Sequence, residues 1–328
     1  MILRLAAVIL LASALPGAGN DFNRGSIATS GSEFLLFDAG ARGIALGGAM
    51  TAITNDASSL YWNPAGLAQI PRLSATFMHA TYIADITYSA GSYAQRINDS
   101  SVIGAGMRYL DAGNVERTDI NGISRGTFKP RSYVAEVGWG QAIYDLSDSE
   151  MDMTLGVAAK TIRTDLGTGA TNGYAGDIGI QSRIYTSAQS YDLAMAVQNA
   201  GIGQKFDKIR DNLPLRLRFG GAVHPIKPLT LSLEAIAPIN DGPHGAFGLE
   251  YATSVDRTIK AAVRAGFNSL TYSSLGASSC ISFGLGVSLS DLSVDYAFVP
   301  MGVLGSQTHR ISLSFNLPAK ISRRYRER

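Results

Sequence analysis

The chain has 328 residues, of which 16% are charged, and a formal net charge of +2 at pH 7. This balance, without a basic stripe of interleaved aromatic residues, argues against a nucleic-acid partner. The single cysteine, Cys280, cannot form an intramolecular disulfide and is interpreted as a small packing residue.

Residues 1–19 are predicted to be a secretory signal peptide. Arg4 gives a short basic start, an apolar run extends from Leu5 to Leu15, and small residues follow up to Gly19. No later stretch holds about 18 uninterrupted apolar residues, so no transmembrane helix is expected. An exported chain of this kind is expected in the periplasm, outside the cell or in an outer-membrane barrel.

Residues 20–72 do not follow a strand pattern. Phe34–Phe37 lead into Asp38, which is a candidate cap for a short helix that continues to Leu46. A further helical turn is predicted at 57–61, before Asn63. This segment is too long for a simple lead into a strand, and we predict that it forms a hatch, or plug, inside a barrel.

From Leu73 to Leu317, apolar residues alternate with small or polar residues. For example, Phe283, Leu285 and Val287 alternate with Gly284 and Gly286. Successive side chains of a strand point to opposite faces, so each segment has one apolar and one mild face. A soluble sandwich would bury the apolar face, whereas a membrane barrel turns it to lipid.

The predicted strands lie near 73–82, 85–95, 101–110, 131–143, 151–164, 174–186, 190–199, 213–224, 228–238, 245–254, 257–267, 278–289, 291–300 and 307–317. Many reach about 10 residues, which suits a tilted bilayer crossing better than the roughly 5–6 residues of globular strands. Connections alternate between tight ones, such as 97–100, and mostly longer ones, such as 111–130. The fold class predicted is therefore all-β, a transmembrane antiparallel β-barrel of about 14 strands.

An even number of strands places both termini on the side of the short turns, which is expected to be the periplasm. Residues 318–328 form a basic tail. We interpret it as a solvated tail, with contact to anionic lipid or to a periplasmic partner as the alternative.

The run GARGIALGGAMTAITNDASSLYWNPAGLA, residues 40–68, is similar to the amino-terminal signature of PorV/PorQ-type proteins. These belong with the outer-membrane long-chain fatty-acid transporter (FadL-like) barrels. The most specific elements contain Asn55, Asp56, Asn63 and Pro64. The short polar side chains of Asn55, Asp56 and Asn63 favour local turn stabilisation over contact with a ligand. The resemblance implies a barrel of 14 strands with an amino-terminal hatch in the bacterial outer membrane.

The resemblance implies two different functions. FadL-like members pass hydrophobic small molecules inward, whereas PorV-like members are partners of the type IX secretion apparatus and hold the sorting signal of cargo. We rank passage of a hydrophobic molecule, such as a long-chain fatty acid, slightly ahead of the secretion role. A porin for hydrophilic solutes is ranked third. An orphan barrel without transport activity is a further alternative. The expected partners are membrane lipid and either a hydrophobic small molecule or secretion-apparatus proteins.

These functions predict different cavities. Uptake predicts a continuous apolar cavity from the outer loops to the hatch. A secretion partner predicts a large loop surface, as at 111–130, without such a cavity. The hatch contains candidate substrate-binding residues: Phe34, Leu36, Phe37, Ile44, Leu46, Met50 and Ile53. The alternative is that these residues form the contacts that hold the hatch in the barrel.

Charged residues on the mild faces are predicted to point into the lumen. They are interpreted as salt bridges that bind the hatch and stiffen the wall, with a charged substrate path as the alternative. The candidates are Glu136, Lys160, Asp177, Arg216, Arg218, Glu250, Arg264, Asp295 and Arg310.

Catalysis and cofactor binding are not expected. The four histidines, His79, His224, His244 and His309, lack the spacing of a metal site, and the chain has no GxSxG nucleophile elbow. We therefore predict a protein that is not an enzyme, with no catalytic residue, metal or cofactor.

Overall fold

The structure is a computed structural model that describes residues 31–144, 151–167, 169–206 and 208–318. The predicted signal peptide, residues 20–30 of the predicted hatch and residues 319–328 of the predicted tail lie outside the described residues. No helix within the described ranges is long and apolar enough to cross a membrane.

Fourteen strands form a closed antiparallel barrel, in which the last strand of the chain pairs with the first to close the wall. This confirms the predicted fold class. The strands of the barrel are β1 (Leu73–Thr81), β2 (Thr87–Arg96), β3 (Ser101–Asp111), β6 (Arg131–Tyr144), β7 (Met151–Asp165), β8 (Ala170–Tyr185), β9 (Ser190–Ile202), β12 (Arg216–Ile226), β13 (Leu229–Pro238), β14 (His244–Ser254), β15 (Ile259–Asn268), β16 (Ile281–Leu289), β17 (Leu292–Pro300) and β18 (Gln307–Leu317).

Two small hairpins lie in the longer connections and were not predicted. One pairs β4 (Val115–Thr118) with β5 (Ser124–Phe128), and the other pairs β10 (Lys205–Phe206) with β11 (Ile209–Arg210). A short helix, Tyr272–Leu275, lies in a third connection.

The alternation along the strands separates the two faces of the wall. In β16 the side chains of Phe283, Leu285 and Val287 are exposed on the outside, whereas Ser282 and Gly284 are buried on the inside. Leu285, in the middle of the strand, is 58% exposed. A continuous outer belt of exposed apolar side chains is what a bilayer covers, so the wall is built to face lipid.

The two ends of the barrel differ. We call the end with the connections 82–86, 112–130, 166–169, 203–215, 239–243, 269–280 and 301–306 the long-loop end, and the opposite end, with the tight turns 97–100 and 186–189, the short-turn end. The predicted loop from Asp165 to Gly173 is wrong in extent. Thr164 pairs with Thr171 and Asp165 with Ala170, so the hairpin extends beyond the apolar belt. Polar side chains there gave no alternation from which to extend the strand.

The predicted start of the eighth barrel strand at Leu213 is also wrong, because β12 begins at Arg216. Leu213 instead packs, 5% exposed, in a cluster with Phe34 of the hatch. Pro214 has no amide hydrogen to donate to a neighbouring strand, which is consistent with the later start.

The hatch occupies the lumen as a succession of short elements. They are a 3-10 turn at Glu33–Leu36, a helix at Ala41–Ala45, a second helix at Ser59–Trp62 and a 3-10 helix at Pro64–Gln69. Asp38 does not cap the first helix, contrary to the prediction, since Gly40 occupies the cap position. The Asp38 carboxylate instead accepts a hydrogen bond of 2.8 Å from the Tyr61 hydroxyl.

The hatch crosses the lumen from one end to the other. The Gly31 amide donates to the Asn212 carbonyl at the long-loop end. The Ala57 amide donates to the Ser74 hydroxyl, at the start of β1 on the short-turn end. The two chain ends, whose predicted side is that of the short turns, lie outside the described residues. The described chain begins at the long-loop end and traverses the barrel before β1.

Replacing Leu285 with arginine tests the lipid-facing assignment. We expect the free energy of unfolding to fall by about 2–4 kcal/mol, because the charge would lie near the bilayer midplane. Reversible guanidinium unfolding in lipid vesicles measures it. Ile120→Arg, in an exposed loop, is the control and is expected to change stability by less than about 0.5 kcal/mol. Equal, small effects of the two changes would contradict the membrane placement.

Candidate functional site

The hatch and the lumen wall are in such close contact that several inward-facing strand positions have no room for a side chain. A Cβ atom at Gly156 would lie 2.1 Å from the Pro64 carbonyl carbon. A Cβ atom at Gly266 would lie 2.1 Å from the Gly47 amide nitrogen. These glycines therefore allow the backbone of the hatch to lie directly against the strands.

The polar residues of the hatch motif mostly stabilise the hatch itself. Asn63 is fully buried; its Oδ1 accepts from the Ala65 amide at 3.1 Å, and its Nδ2 donates to the Thr51 carbonyl at 3.0 Å. Pro64 is the first residue of the 3-10 helix that Asn63 caps. This geometry gives the asparagine a role in joining two segments of the hatch.

The two other residues of the motif lie nearer to solvent. Asp56 Oδ1 accepts from the Ser58 amide at 2.8 Å, ahead of the helix Ser59–Trp62. Asn55 is exposed, and its Oδ1 accepts from Arg42 at 3.1 Å. Asp56 thus stabilises a turn, and Asn55 supports the Arg42 side chain.

Most of the candidate hatch hydrophobes are packed within protein. Ile44, Leu46, Met50 and Ile53 are each at most 3% exposed. They belong to one cluster with Trp62 and with wall residues. Their packing seats the hatch and leaves little surface for a ligand.

The aromatic and aliphatic residues at the start of the hatch differ from one another. Phe34 is buried in the cluster with Leu213. The ring centroid of Phe37 lies 5.1 Å from that of Tyr82 and 5.6 Å from that of Tyr88. Leu36, by contrast, lines a cavity at the long-loop end. Of the seven predicted residues, Leu36 is therefore the best placed to contact a ligand.

A chain of buried ion pairs joins the hatch to three strands. Arg42 of the hatch contacts Glu250 of β14 at 2.9 Å, Glu250 contacts Arg264 of β15 at 2.6 Å, and Arg264 contacts Asp295 of β17 at 2.7 Å. Burial by itself would lower the pKa of Arg42, but the Glu250 carboxylate outweighs burial and raises that pKa. Arg42 therefore stays charged.

A second link connects the hatch to β12 and β13. Arg218 is paired with Glu234 and donates to the Gly48 carbonyl at 2.7 Å. Glu234 in turn accepts from the amide and the hydroxyl of Thr51, at 2.9 and 2.7 Å. These two wall residues thus satisfy backbone groups of the hatch that the lumen would otherwise leave unpaired.

The remaining predicted lumen charges also have protein partners. Arg108 contacts Glu136 at 3.3 Å, and Lys160 contacts Asp177 at 2.6 Å. Arg310 donates to the Tyr82 hydroxyl at 3.1 Å. Together with the links to the hatch, these contacts connect neighbouring strands to one another and to the hatch across the lumen.

Arg216 takes part in a chain of hydrogen bonds that the sequence analysis did not predict. Its guanidinium donates to the Tyr61 hydroxyl at 2.9 Å and to the side-chain amide oxygen of Gln198, Oε1, at 2.6 Å. Tyr61 donates to Asp38 at 2.8 Å. Burial raises the pKa of Tyr61, although Arg216 opposes this effect, so the hydroxyl stays protonated and can donate.

Two glutamines of the wall are further hatch contacts that were not predicted. Gln181 Nε2 donates to the Ala52 carbonyl at 2.6 Å, and Gln198 Nε2 donates to the Trp62 carbonyl at 2.9 Å. Their inward position was visible in the alternation, but an uncharged amide gave no reason to select them.

A cavity of about 480 Å³ lies at the long-loop end, between the hatch and the loops. Its lining includes Leu36 and Asp38 of the hatch, Arg216 of β12, His244 of β14 and Tyr272 of the connection 269–280. The strand residues of the lining all come from the long-loop halves of their strands, and the hatch forms the floor. The cavity is thus a mixed polar and apolar recess on one side of the hatch.

The connection 112–130 carries the exposed hairpin β4–β5. Ile120 at its tip is 99% exposed, and Ile123 is 57% exposed. Asp119 accepts from Arg125 at 2.9 Å across the turn. The hairpin therefore presents apolar side chains outside the barrel on a hydrogen-bonded support.

The histidines do not form a metal site. His224 lies 2.8 Å from Asp192 and 3.0 Å from Thr230, and His244 borders the cavity. Within the described part of the chain, no group of three or more His, Cys, Asp or Glu residues could hold a metal ion.

Solved structures share this architecture. The toluene transporter TbuX of Ralstonia pickettii superposes with a TM-score of 0.55 at 12% identity, over 87% of this chain and 100% of that chain. The ΔS2S3 mutant of TodX, described as a monoaromatic hydrocarbon channel, gives 0.54 at 12% identity, over 85% and 99%. A Pseudomonas aeruginosa FadL homologue gives 0.51 at 10% identity, over 85% and 98%. The protein therefore has the fold of the FadL-like β-barrels.

The sequence defines the family more narrowly. The family model described as type IX secretion system protein PorV matches residues 20–227. The chain belongs to this family. No curated protein matches it.

Replacing Glu250 with glutamine tests the ion-pair chain. Arg42 would lose its carboxylate partner and Arg264 one of two, so we expect the free energy of unfolding to fall by about 3 kcal/mol. Guanidinium unfolding of the folded barrel measures this. Asp119→Asn removes an exposed pair and is expected to have no measurable effect. A Glu250→Gln barrel as stable as the Asp119→Asn barrel would contradict a stabilising role of the ion-pair chain.

Proposed function

We propose that the protein is a non-conducting outer-membrane barrel of the type IX secretion pathway, which binds partner proteins on its long-loop face. The observation that carries this proposal is a lumen occupied by a hatch with polar links to the wall along its whole path. Membership of the PorV family supports the same pathway.

The hatch is bonded to the wall at three heights. At the long-loop end, Gly31 donates to Asn212 at 2.8 Å. In the middle, the Thr51 amide donates to Glu234 of β13 at 2.9 Å. At the short-turn end, Ala57 donates to Ser74 at 2.9 Å. Opening a passage would break such contacts and leave buried charges unpaired, at a cost of about 3–5 kcal/mol for each separated ion pair.

The long-loop face provides two features for a protein partner. The hairpin β4–β5 projects Ile120 and Ile123 between β3 and β6, and the cavity of about 480 Å³ lies at the same end of the barrel, against β12 to β15 on the other side of the mouth. An exposed apolar tip together with a recess with both charged and apolar walls matches the mixed chemistry of a polypeptide better than that of a hydrocarbon.

Uptake of a hydrophobic small molecule is the second candidate. The cavity volume lies in the range of about 300–1,000 Å³ that is usual for small-molecule sites, and Leu36 lines it. Passage to the other side would, however, require the hatch to move. The two proposals therefore differ in whether the hatch must be mobile.

A disulfide that ties the hatch to the wall separates these functions. A Cβ atom at Gly220 of β12 would lie 3.2 Å from the Cβ atom of Ala52, close to the 3.5–4.5 Å of disulfides. We expect the variant Ala52→Cys/Gly220→Cys, in a Cys280→Ser background, to restore secretion of type IX cargo into the medium of a strain that lacks the native protein. Secretion at the wild-type level with the disulfide formed is the predicted result.

The two single-cysteine variants control for effects on folding. Uptake of radiolabelled oleate is measured in the same cells. Two results together would overturn the proposal in favour of transport. Oleate uptake would be lost in the oxidised double variant and return with a reductant, and secretion would not depend on the protein.

A further inference from the structure

One buried positive charge of the cavity at the long-loop end has no carboxylate bonded to it within the described chain. Arg216 is 8% exposed, and its guanidinium donates to two uncharged groups, the Tyr61 hydroxyl and Oε1 of Gln198. The neighbouring arginine of the lining, Arg218, is by contrast paired with Glu234. A buried charge is costly without a counterion, so Arg216 is a candidate site for an anion.

A second donor of the same lining lacks a partner among the described residues. In the pairing of β12 with β13, Arg216 lies opposite Pro238, and Asn240 follows two residues later in the chain. The Nδ2 atom of Asn240 is buried without a hydrogen-bond partner, and an amide nitrogen can only donate. The guanidinium and this amide can therefore both donate to one acceptor group, and a carboxylate has two oxygens for them.

The other charges of the lining restrict the charge of this anion. Glu33, Asp38 and Asp241 line the cavity as well. Three carboxylates would repel a phosphate, which carries about two negative charges, more strongly than a ligand carboxylate with one. Asp241 lies in the connection 239–243, at the outer end of the cavity, so it favours a cation on the part of the ligand that is nearer to the loops.

The shape of the cavity favours the end of a polypeptide. The hatch forms the floor, so a chain can enter from the long-loop side but cannot continue through the recess. Leu36 and Ile236 give the lining apolar surface, whereas Ser269 and Thr271 give it polar groups. Such a mixture suits a short length of backbone with an apolar side chain, while a fatty acid would meet polar groups along its hydrocarbon chain.

We propose that the cavity binds the carboxyl terminus of a polypeptide. The terminal carboxylate bonds to Arg216 and Asn240, the last side chain packs on Leu36, and a basic residue shortly before the terminus faces Asp241. That the polypeptide belongs to a type IX partner rests on the proposed function, whereas the recognition of a free terminus is inferred from the lining itself.

Fluorescence anisotropy with the purified full-length barrel tests the recognition. The probe is a short peptide that carries fluorescein at its amino end and finishes in lysine-valine-leucine, prepared either with a free carboxylate or as a carboxamide. We expect the carboxamide to bind the wild-type protein about tenfold more weakly than the free acid, because it lacks the hydrogen bonds between charged groups. Equal binding of the two peptides, or binding of neither, would overturn the proposal.

Two variants test which residues hold the carboxylate. Arg216→Gln and Asn240→Asp are each expected to weaken binding of the free acid about tenfold and to remove its advantage over the carboxamide. Asn240 lies in a connection, so its change does not depend on a contact of the hatch. Arg163→Gln, at an exposed position of β7, is the matched control and is expected to bind both peptides as the wild type does. Heat-modifiable electrophoretic mobility shows whether each barrel is folded. Folded variants that still prefer the free acid about tenfold would overturn the assignment of these residues.

Two further measurements separate a failure of this inference from a failure of the proposed function. Secretion of type IX cargo is measured with the wild-type protein in a strain that lacks the native protein, and binding of radiolabelled oleate is measured with the purified barrel. Secretion that depends on the protein, without binding of the free-acid peptide, would overturn the inference alone. Secretion that does not depend on the protein, together with oleate binding that Arg216→Gln abolishes, would overturn both.

Discussion

Every buried polar group in the lumen needs a partner, and this requirement governs the structure. A strand wall whose apolar side chains face outward has only its inward positions for polar ones, and here many of these are charged. The hatch supplies some of the missing partners. Glu250, for example, accepts from Arg264 of the wall and from Arg42 of the hatch. Since separating a buried ion pair is costly, the wall and the hatch stabilise each other as one unit.

The fold that the chain shares with other barrels does not by itself define its function. The hydrocarbon transporters that superpose on the chain have about one residue in eight in common with it, so they define its architecture alone. In this chain the hatch lies in direct contact with glycines of the wall, such as Gly156. The recess that it leaves is at the long-loop end. The long-loop end of the barrel thus carries a pocket and a projecting hairpin.

The sequence predicted the barrel and the inward face of the lumen charges, but not which atoms pair with one another, for a physical reason. Strand alternation is local, so the parity of Phe283 and Gly284 was enough to predict which face each one occupies. The partners of lumen charges depend on strand register and on which hatch atom lies opposite, neither of which is local. Gln198 and Tyr61 were therefore missed. The direction in which the hatch runs was not predicted, because a bond such as that from Gly31 to Asn212 joins residues far apart in sequence.

The central claim, that the hatch is a fixed part of the barrel and closes it, is tested most directly by ion conductance in planar lipid bilayers. The purified wild-type protein is compared with a variant in which Arg42, Thr51 and Asn63 are all replaced by alanine, which removes polar links of the hatch. Our account predicts no steady conductance for the wild type and open-channel steps for the variant. Steady wild-type conductance equal to that of the variant would contradict it.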